Sequence, residues 1–120
     1  MASDLNKFIV KGRLTKDPEL RFTQSGTAVC KFSIANNESF KKKDGEKVEH
    51  VHFFDVVVRN KLGELCNQFL AKGLRVLVCG RMTYRDWTTD DGVKRRSYEI
   101  VADDIKQHPF PARSPGLSLP

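Results

Sequence analysis

Twice in this 120-residue chain an Asp-Gly pair stands between two stretches rich in β-formers, once at Asp44-Gly45 and once at Asp91-Gly92. Asp-Gly readily accepts the positive φ angles of a tight two-residue turn, so each pair predicts a β-hairpin. Two long hairpins commit much of the chain to strands, whose edges are best protected by closing the sheet. The second hairpin, Val76 to Ile100, also carries the chain's only tryptophan, Trp87. Toward its tip apolar residues give way to Arg81, Tyr84, Arg85, Trp87, Lys94, Arg95, Arg96 and Tyr98. Folding alone does not require cations and flat rings on the same two strands. Unpaired bases do: each offers a π-face to a ring and brings a phosphate that a guanidinium or ammonium can neutralise. An isolated hairpin of this kind reads as solvated surface with one aromatic laid over a core. A second hairpin of the same kind favours the nucleic-acid reading.

The earlier hairpin is that second instance. Its outgoing arm, Thr27 to Asn36, sets Ala28, Cys30, Phe32 and Ile34 on one face, which fits a core. Asn37 to Lys47 has no core periodicity and holds Phe40 beside Lys41-Lys42-Lys43. The return arm, Val48 to Val58, places Val51, Phe53, Asp55 and Val57 on one face and His52, Phe54, Val56 and Val58 on the other. Both faces carry apolar bulk, so one of them is open to contact with another subunit. Ahead of these, Phe8-Ile9-Val10 with Gly12-Arg13-Leu14 predicts a first strand, Asp17-Pro18 a turn, and Leu20 to Thr23 a short extended piece that breaks at Ser25-Gly26. From Asn60 the period lengthens to that of a helix, with Leu62, Leu65, Cys66 and Phe69 on one stripe that reads as core. Asn60 is the expected N-cap and Gly73 the expected stop. Strands Leu74 to Thr83 and Ser97 to Ile105 complete the set. Residues 1–106 then form one domain and 107–120 a flexible tail.

Five strands with one helix between the third and fourth, and long hairpins joining strands two to three and four to five, predict an all-β OB-fold, a five-stranded Greek-key barrel. A small α+β sandwich with the same element order stays open at this point. A net charge of +6 and a pI near 9.4 suit a polyanionic partner, nucleic acid or an anionic membrane. With no apolar run long enough to span a bilayer and no basic amphipathic helix, the membrane is the weaker candidate. Met1 to Lys7 lacks the basic-then-apolar order of a secretory signal, which predicts a cytosolic protein. Cys30, Cys66 and Cys79 lie far apart in apolar contexts with no Cys-x-x-Cys, which predicts reduced core thiols and neither metal site nor disulfide. His50 and His52 would share a strand face, but without a third ligand they predict no metal. No cofactor is expected.

The wording of the chain is also specific. Asn6-Lys7, Gly12-Arg13-Leu14-Thr15-Lys16-Asp17-Pro18-Glu19-Leu20-Arg21-Phe22-Thr23, Gly26-Thr27-Ala28-Val29, Phe32-Ser33-Ile34-Ala35, Lys72-Gly73, Gly80-Arg81 and Trp87 followed by Gly92, in this order, resemble the bacterial single-stranded DNA-binding proteins. The resemblance covers Leu5 to about Ile105. It implies an OB-fold and a homotetramer in the cytoplasm, associated with the nucleoid and serving replication, recombination and repair. In that family single-stranded DNA wraps over the protein, stacking on aromatics and pairing with Lys and Arg. Position by position, the resemblance implies base stacking by Trp87, Phe40 and Phe53, the two phenylalanines standing where the family often has tryptophan. Arg59 stands where many members have another aromatic, and a guanidinium can still stack. Phe54 replaces a histidine often found at the subunit contact, which leaves the details of assembly open. The family's acidic tip ending in Ile-Pro-Phe, which docks replication and repair partners, has no counterpart in Ser114 to Pro120. Two explanations fit: a chain cut short and given foreign residues, or a divergent paralogue without partner docking.

Around these rings the expected phosphate contacts are Lys7, Arg13, Lys31, Lys41, Lys42, Lys43, Arg81, Arg85, Lys94, Arg95 and Arg96. The inference is stronger for the set than for any one member, and some of these are plain surface. Tyr84 and Tyr98 fit a cap on the barrel as well as a nucleic-acid contact. An enzyme reading would need Asp55, Asp90, Asp91, Asp103 or Asp104 as a divalent-metal nuclease site, and these stand in no recognised spacing, so no enzyme is expected. A replication-restart adaptor resembling primosomal replication protein N would share the fold and have partner binding as its main task. It would be a dimer where the leading reading predicts a tetramer.

Overall fold

Strict alternation on one strand organises the barrel: Ala28, Cys30, Phe32 and Ile34 are all buried, while the residues between them are exposed or half-buried. The computed structural model describes residues 3–108. Its elements run β1 (Phe8–Leu14), β2 (Glu19–Phe22), β3 (Ala28–Lys41), β4 (Lys47–Arg59), α1 (Asn60–Phe69), β5 (Arg75–Thr88) and β6 (Lys94–His108). The sheet order is β1-β5-β6-β4-β3-β2, and β1 pairs a second time, with β3, through Arg13 opposite Ala35 and Leu14 opposite Ile34. That second pairing closes β1, β5, β6, β4 and β3 into a five-stranded barrel and leaves short β2 as an added edge on β3. Among the described residues only β4 and β6 run parallel, at Val56 with Ile100 and Val57 with Val101. Helix α1 joins the third barrel strand to the fourth, as expected, so the chain is an OB-fold and the sandwich alternative falls away.

The interior is apolar throughout. Leu14, Cys30, Phe32, Ile34, Val56, Val58, Cys66, Val76, Val78, Ile100 and Ile105 lie at its centre, and no polar or charged side chain among the described residues is buried. Closing so small a barrel brings backbones together, and glycine permits it. A Cβ on Gly12 would meet the Ala35 carbonyl oxygen at 2.8 Å, where β1 seals against β3. One on Gly80 would collide with the Val101 carbonyl oxygen, at the point where the β5–β6 register slips from Cys79 opposite Asp104 to Gly80 opposite Ala102. That slip is a bulge, which bends the ribbon as it leaves the barrel.

Several expectations are corrected in detail. Strands β3 to β6 outrun the core pattern because their ladders continue into solvent, to Lys41 opposite Lys47 and Thr88 opposite Lys94. The hairpin turns hold three residues, not two. Gly92 N–H donates to the Thr89 carbonyl and Thr89 N–H to the Val93 carbonyl, both at 2.9 Å, so the loop is Asp90-Asp91-Gly92. Only Gly92 has positive φ, at 84°. Lys43-Asp44-Gly45 repeats this geometry, with Gly45 at φ 86°. The aspartate is therefore not in the left-handed region. Its carboxylate stitches the loop instead: Asp44 accepts the Glu46 N–H at 2.9 Å, and Asp91 accepts the Thr89 hydroxyl and, at 3.4 Å, the Val93 N–H. These bonds, the Thr89 hydroxyl foremost, hold the Asp91 carboxyl below its ordinary range.

The helix also differs at both ends. Arg59, in extended conformation, is the N-cap without a side-chain cap bond, and Asn60 is the first helical residue with φ 61°. The helix ends at Phe69, four residues before Gly73, because the chain turns extended at Leu70 and drops that side chain into the core at 6% exposure. Phe69, expected in the core, is 49% exposed as a result. Gly73, at φ 92°, belongs to the turn that follows. Strand β6 runs on to His108, paired with Arg75, and the remainder of the expected tail lies outside the described residues.

Candidate nucleic-acid interface

No bulge interrupts β3 or β4, so their side chains alternate without a break from the barrel into the projecting hairpin. Phe53 pairs with Ala35 and shares the outward face with Lys31, Lys41 and Arg59. Phe40 pairs with Val48 and lies on the opposite face, continuing the core side past Asn36 and Glu38. The two phenylalanines thus stand on opposite sides of one hairpin. Phe53 is 67% exposed and Phe40 45%, so neither ring is held by the core.

The β5–β6 hairpin divides in the same way. Trp87 pairs with Arg95, Arg85 with Ser97 and Arg81 with Val101, which puts Trp87, Arg81, Arg85 and Arg95 on the outward face. Tyr84 pairs with Tyr98, Asp86 with Arg96 and Thr88 with Lys94, on the inner face beyond Ile100 and Met82. Trp87 is 43% exposed, and the Arg85 guanidinium sits 5.9 Å from its ring centroid. A groove on the outward face joins Lys16 and Lys31 to Arg85, with Asp55 and Glu99 also lining it. Asp55 accepts a 2.6 Å bond from the Ser33 hydroxyl. The structure therefore gathers Trp87, Phe53, Lys31, Lys41, Arg59, Arg81, Arg85 and Arg95 on one side of the sheet.

Most of the remaining candidates do not share that face. Arg96 is occupied: its Nε donates to Asp86 Oδ1 at 2.7 Å and its Nη2 to Oδ2 at 3.2 Å, while its guanidinium lies 4.3 Å from the Tyr84 ring centroid. The bond from Arg96 holds the Asp86 carboxyl below its ordinary range and raises the guanidinium's own pKa in turn. Tyr84 and Tyr98 face each other at 6.0 Å, 57% and 55% exposed, so they decorate the hairpin instead of capping the core. Met82 packs against the barrel in their stead. Lys94 shares this inner face with Arg96, and both line an open groove at the hairpin tip with Trp87 and Arg95. Lys42 pairs with Glu46 at 3.9 Å across its loop, and Lys43 is exposed beside it. Lys7 precedes β1, and Arg13 lies near the seam with Lys11 and Arg75, apart from Trp87.

The sequence raised His50 only as a metal ligand, whereas its ring stacks on Phe40 at 5.6 Å and 9°. A three-residue loop sets Phe40 opposite Val48, which leaves His50 as its diagonal neighbour on the same face. The aspartates of the enzyme reading do not converge, and among the described residues no three His, Cys, Asp or Glu side chains group as a metal site. Cys30 and Cys66 are buried free thiols, while Cys79 is only partly covered. No helix among the described residues is long and apolar enough to cross a membrane.

Comparison with known proteins agrees with this geometry. Residues 5–108 match the single-strand binding protein family. A single-stranded DNA-binding protein of Neisseria meningitidis is 40% identical over 102 residues, covering 85% of this chain and 59% of its own length. That of Wolinella succinogenes is 41% identical over 101 residues, covering 84% and 62%. The chain thus spans about three fifths of these relatives. Among solved structures, Plasmodium falciparum SSB in complex with ssDNA superimposes with a TM-score of 0.82 at 28% identity, over 89% of this chain and 97% of that one. A deletion mutant of the single-stranded DNA-binding protein from Thermus aquaticus gives 0.76 at 27%, over 92% and 52%. The chain belongs to the single-strand binding protein family.

Proposed function

We propose that this protein binds single-stranded DNA with little sequence preference and shields it during replication, recombination and repair. The observation that carries the reading is the outward face where exposed Trp87 and Phe53 accompany Lys31, Arg59, Arg85 and Arg95. Each base of an unpaired strand brings a flat face for a ring and a phosphate for a cation, and neither contact reads sequence. Phe40 on the far side of the β3–β4 hairpin, with Lys42 and Lys43 at its tip, gives a strand reason to wrap over the hairpin edge. Arg59 contributes a guanidinium where the family has a ring, and guanidinium planes also stack on bases. Lys7, Arg13, Lys41, Arg81, Lys94 and Arg96 add positive potential, Arg96 least because Asp86 already occupies it. The function is binding without bond breaking.

The family match speaks against the replication-restart adaptor. In the same reading the protein acts as a homotetramer in the bacterial cytoplasm, on nucleoid DNA, and replication and repair proteins are partners only so far as a docking tip exists. The test is a gel-shift competition, with light scattering for the assembly. Oligo-dT should shift the protein, excess duplex should fail to displace it, and the mass should be that of four chains. Equal competition by duplex would overturn the binding reading. A monomer at micromolar concentration would overturn the tetramer.

A further inference from the structure

The seam that closes the barrel gathers three cations. Arg13 of β1 stands directly opposite Arg75 of β5, and Lys11 lies two residues back on the same face. Like charges opposite each other in a ladder repel, so folding gains nothing from this arrangement. The three line a cavity of about 110 Å³ whose other walls are Gly12, Ala35 and two asparagines, with no carboxylate. Among the described residues none of the three has an ion-pair partner. Asn36 Nδ2 donates to the Lys11 carbonyl at 2.8 Å, which ties β3 to β1 beside the cavity. At roughly 30 Å³ per water the cavity holds about four waters, enough for one phosphate group and too little for a nucleoside. Arg13 also stands opposite Ala35, and Ala35 opposite Phe53. The cavity therefore lies on the same outer surface as the Phe53 ring, two strand spacings or about 10 Å away.

We propose that Lys11, Arg13 and Arg75 form a binding site for a phosphate monoester, carried either by the phosphorylated end of a DNA strand or by a free mononucleotide. An internal phosphodiester brings one negative charge, which a single cation answers. A monoester brings about −1.5 to −2 at pH 7, spread over three acceptor oxygens. Two guanidiniums and an ammonium supply one cation for each of those oxygens, and the planar guanidiniums suit paired bonds to them. The bound anion also relieves the repulsion between Arg13 and Arg75. The strand-end source rests on the single-strand reading above, since Phe53 would hold a neighbouring base. The free mononucleotide does not depend on that reading.

The test is an anisotropy competition against labelled oligo-dT with hydroxyl ends. The competitors are unlabelled oligo-dT of one length bearing a 5′-phosphate, a 3′-phosphate or hydroxyls at both ends. Calorimetry in parallel titrates thymidine 5′-monophosphate at low salt. Both are run on the wild type, on the Lys11→Ala/Arg75→Ala pair, and on Arg75→Gln, which removes charge while keeping a long polar side chain. All three cations are exposed, and removing one relieves repulsion, so the variants should melt no lower than the wild type. In the wild type a phosphorylated strand should compete about threefold or more better than the hydroxyl strand, the low end for three exposed cation contacts. The gain should vanish in the double variant and shrink in Arg75→Gln. Such a gain assigns the site to strand ends. Binding of the monophosphate without it, lost in the double variant, assigns the site to free nucleotides. Equal competition by all three strands with no monophosphate binding overturns the site and leaves single-strand binding standing, as does a gain that survives in both variants. Failure of labelled oligo-dT to bind at all overturns the single-strand reading instead, and the calorimetry then decides the site alone.

Discussion

Phe53→Ala separates binding from stability cleanly. The Phe53 ring is 67% exposed and outside the core cluster, so folding buries only about a third of it. Full burial of such a side chain is worth about 1.5 to 3 kcal/mol, and a third of that puts the stability loss at about 1 kcal/mol or less. One base stacked on an aromatic contributes about 1 to 3 kcal/mol, and at about 1.4 kcal/mol per decade its loss weakens binding about 5- to 140-fold. The two effects therefore diverge, with little change in melting temperature and a large change in affinity. Phe22→Ala is the control, because Phe22 is 61% exposed on edge strand β2, opposite Ala28 at the barrel end of β3 and seven residues along that strand from Ala35, the partner of Phe53, and should leave affinity unchanged. Fluorescence titration with oligo-dT reads the result, since Trp87 survives in both variants. Equal affinities for the two variants and the wild type would refute the outward-face platform. A large fall in the melting temperature of Phe53→Ala would show that the ring is structural.

Other consequences are equally concrete. Arg95→Ala should lower the slope of log affinity against log salt by about 0.7, one phosphate's worth on a single strand, because Arg95 has no ion-pair partner among the described residues. Arg96→Ala should lower it by less, Asp86 already neutralising that charge, and equal effects would contradict the assignment. Gly80→Ala drives a methyl into the backbone of Val101 and Ala102, so it should cost about 1 to 3 kcal/mol, visible as a lower melting temperature, and an unchanged melt would contradict the close approach. Burial pushes the thiol of Cys30 up to about 11 and that of Cys66 to about 12, against an ordinary 9.0. The unfolded chain therefore ionises first: stability is intact below pH 9 and falls as pH rises toward 11, by about 1.4 kcal/mol per unit per thiol. Urea midpoints between pH 7 and 10.5 should show this alkaline loss in the wild type and less of it in a Cys30→Ala/Cys66→Ala variant.

Much of this was legible before any coordinates. Ala28, Cys30, Phe32 and Ile34 announce a core face because a strand buried on one side repeats every second residue, and Trp87 with its neighbouring arginines announces a ring among cations. What the sequence could not decide was which side of each hairpin its residues take. That depends on loop length: a two-residue turn at Asp91-Gly92 would set Trp87 opposite Arg96, whereas the three-residue loop sets it opposite Arg95. A slip of one residue exchanges the two faces. The pairing of Arg96 with Asp86 and the stack of His50 on Phe40 follow from that register, so they were out of reach without it. The helix end was missed for a different reason. Nothing local stops it at Phe69; burial of Leu70 in the barrel does, and that is a tertiary effect.

The most direct test of the central claim is the quenching of Trp87 fluorescence by oligo-dT across a series of salt concentrations, with duplex of equal length alongside. Stacking plus phosphate neutralisation predicts strong quenching by oligo-dT, log affinity falling linearly with log salt, and little response to duplex at moderate salt. Binding of oligo-dT that leaves Trp87 fluorescence unchanged, or quenching equal for duplex and single strand, would contradict it.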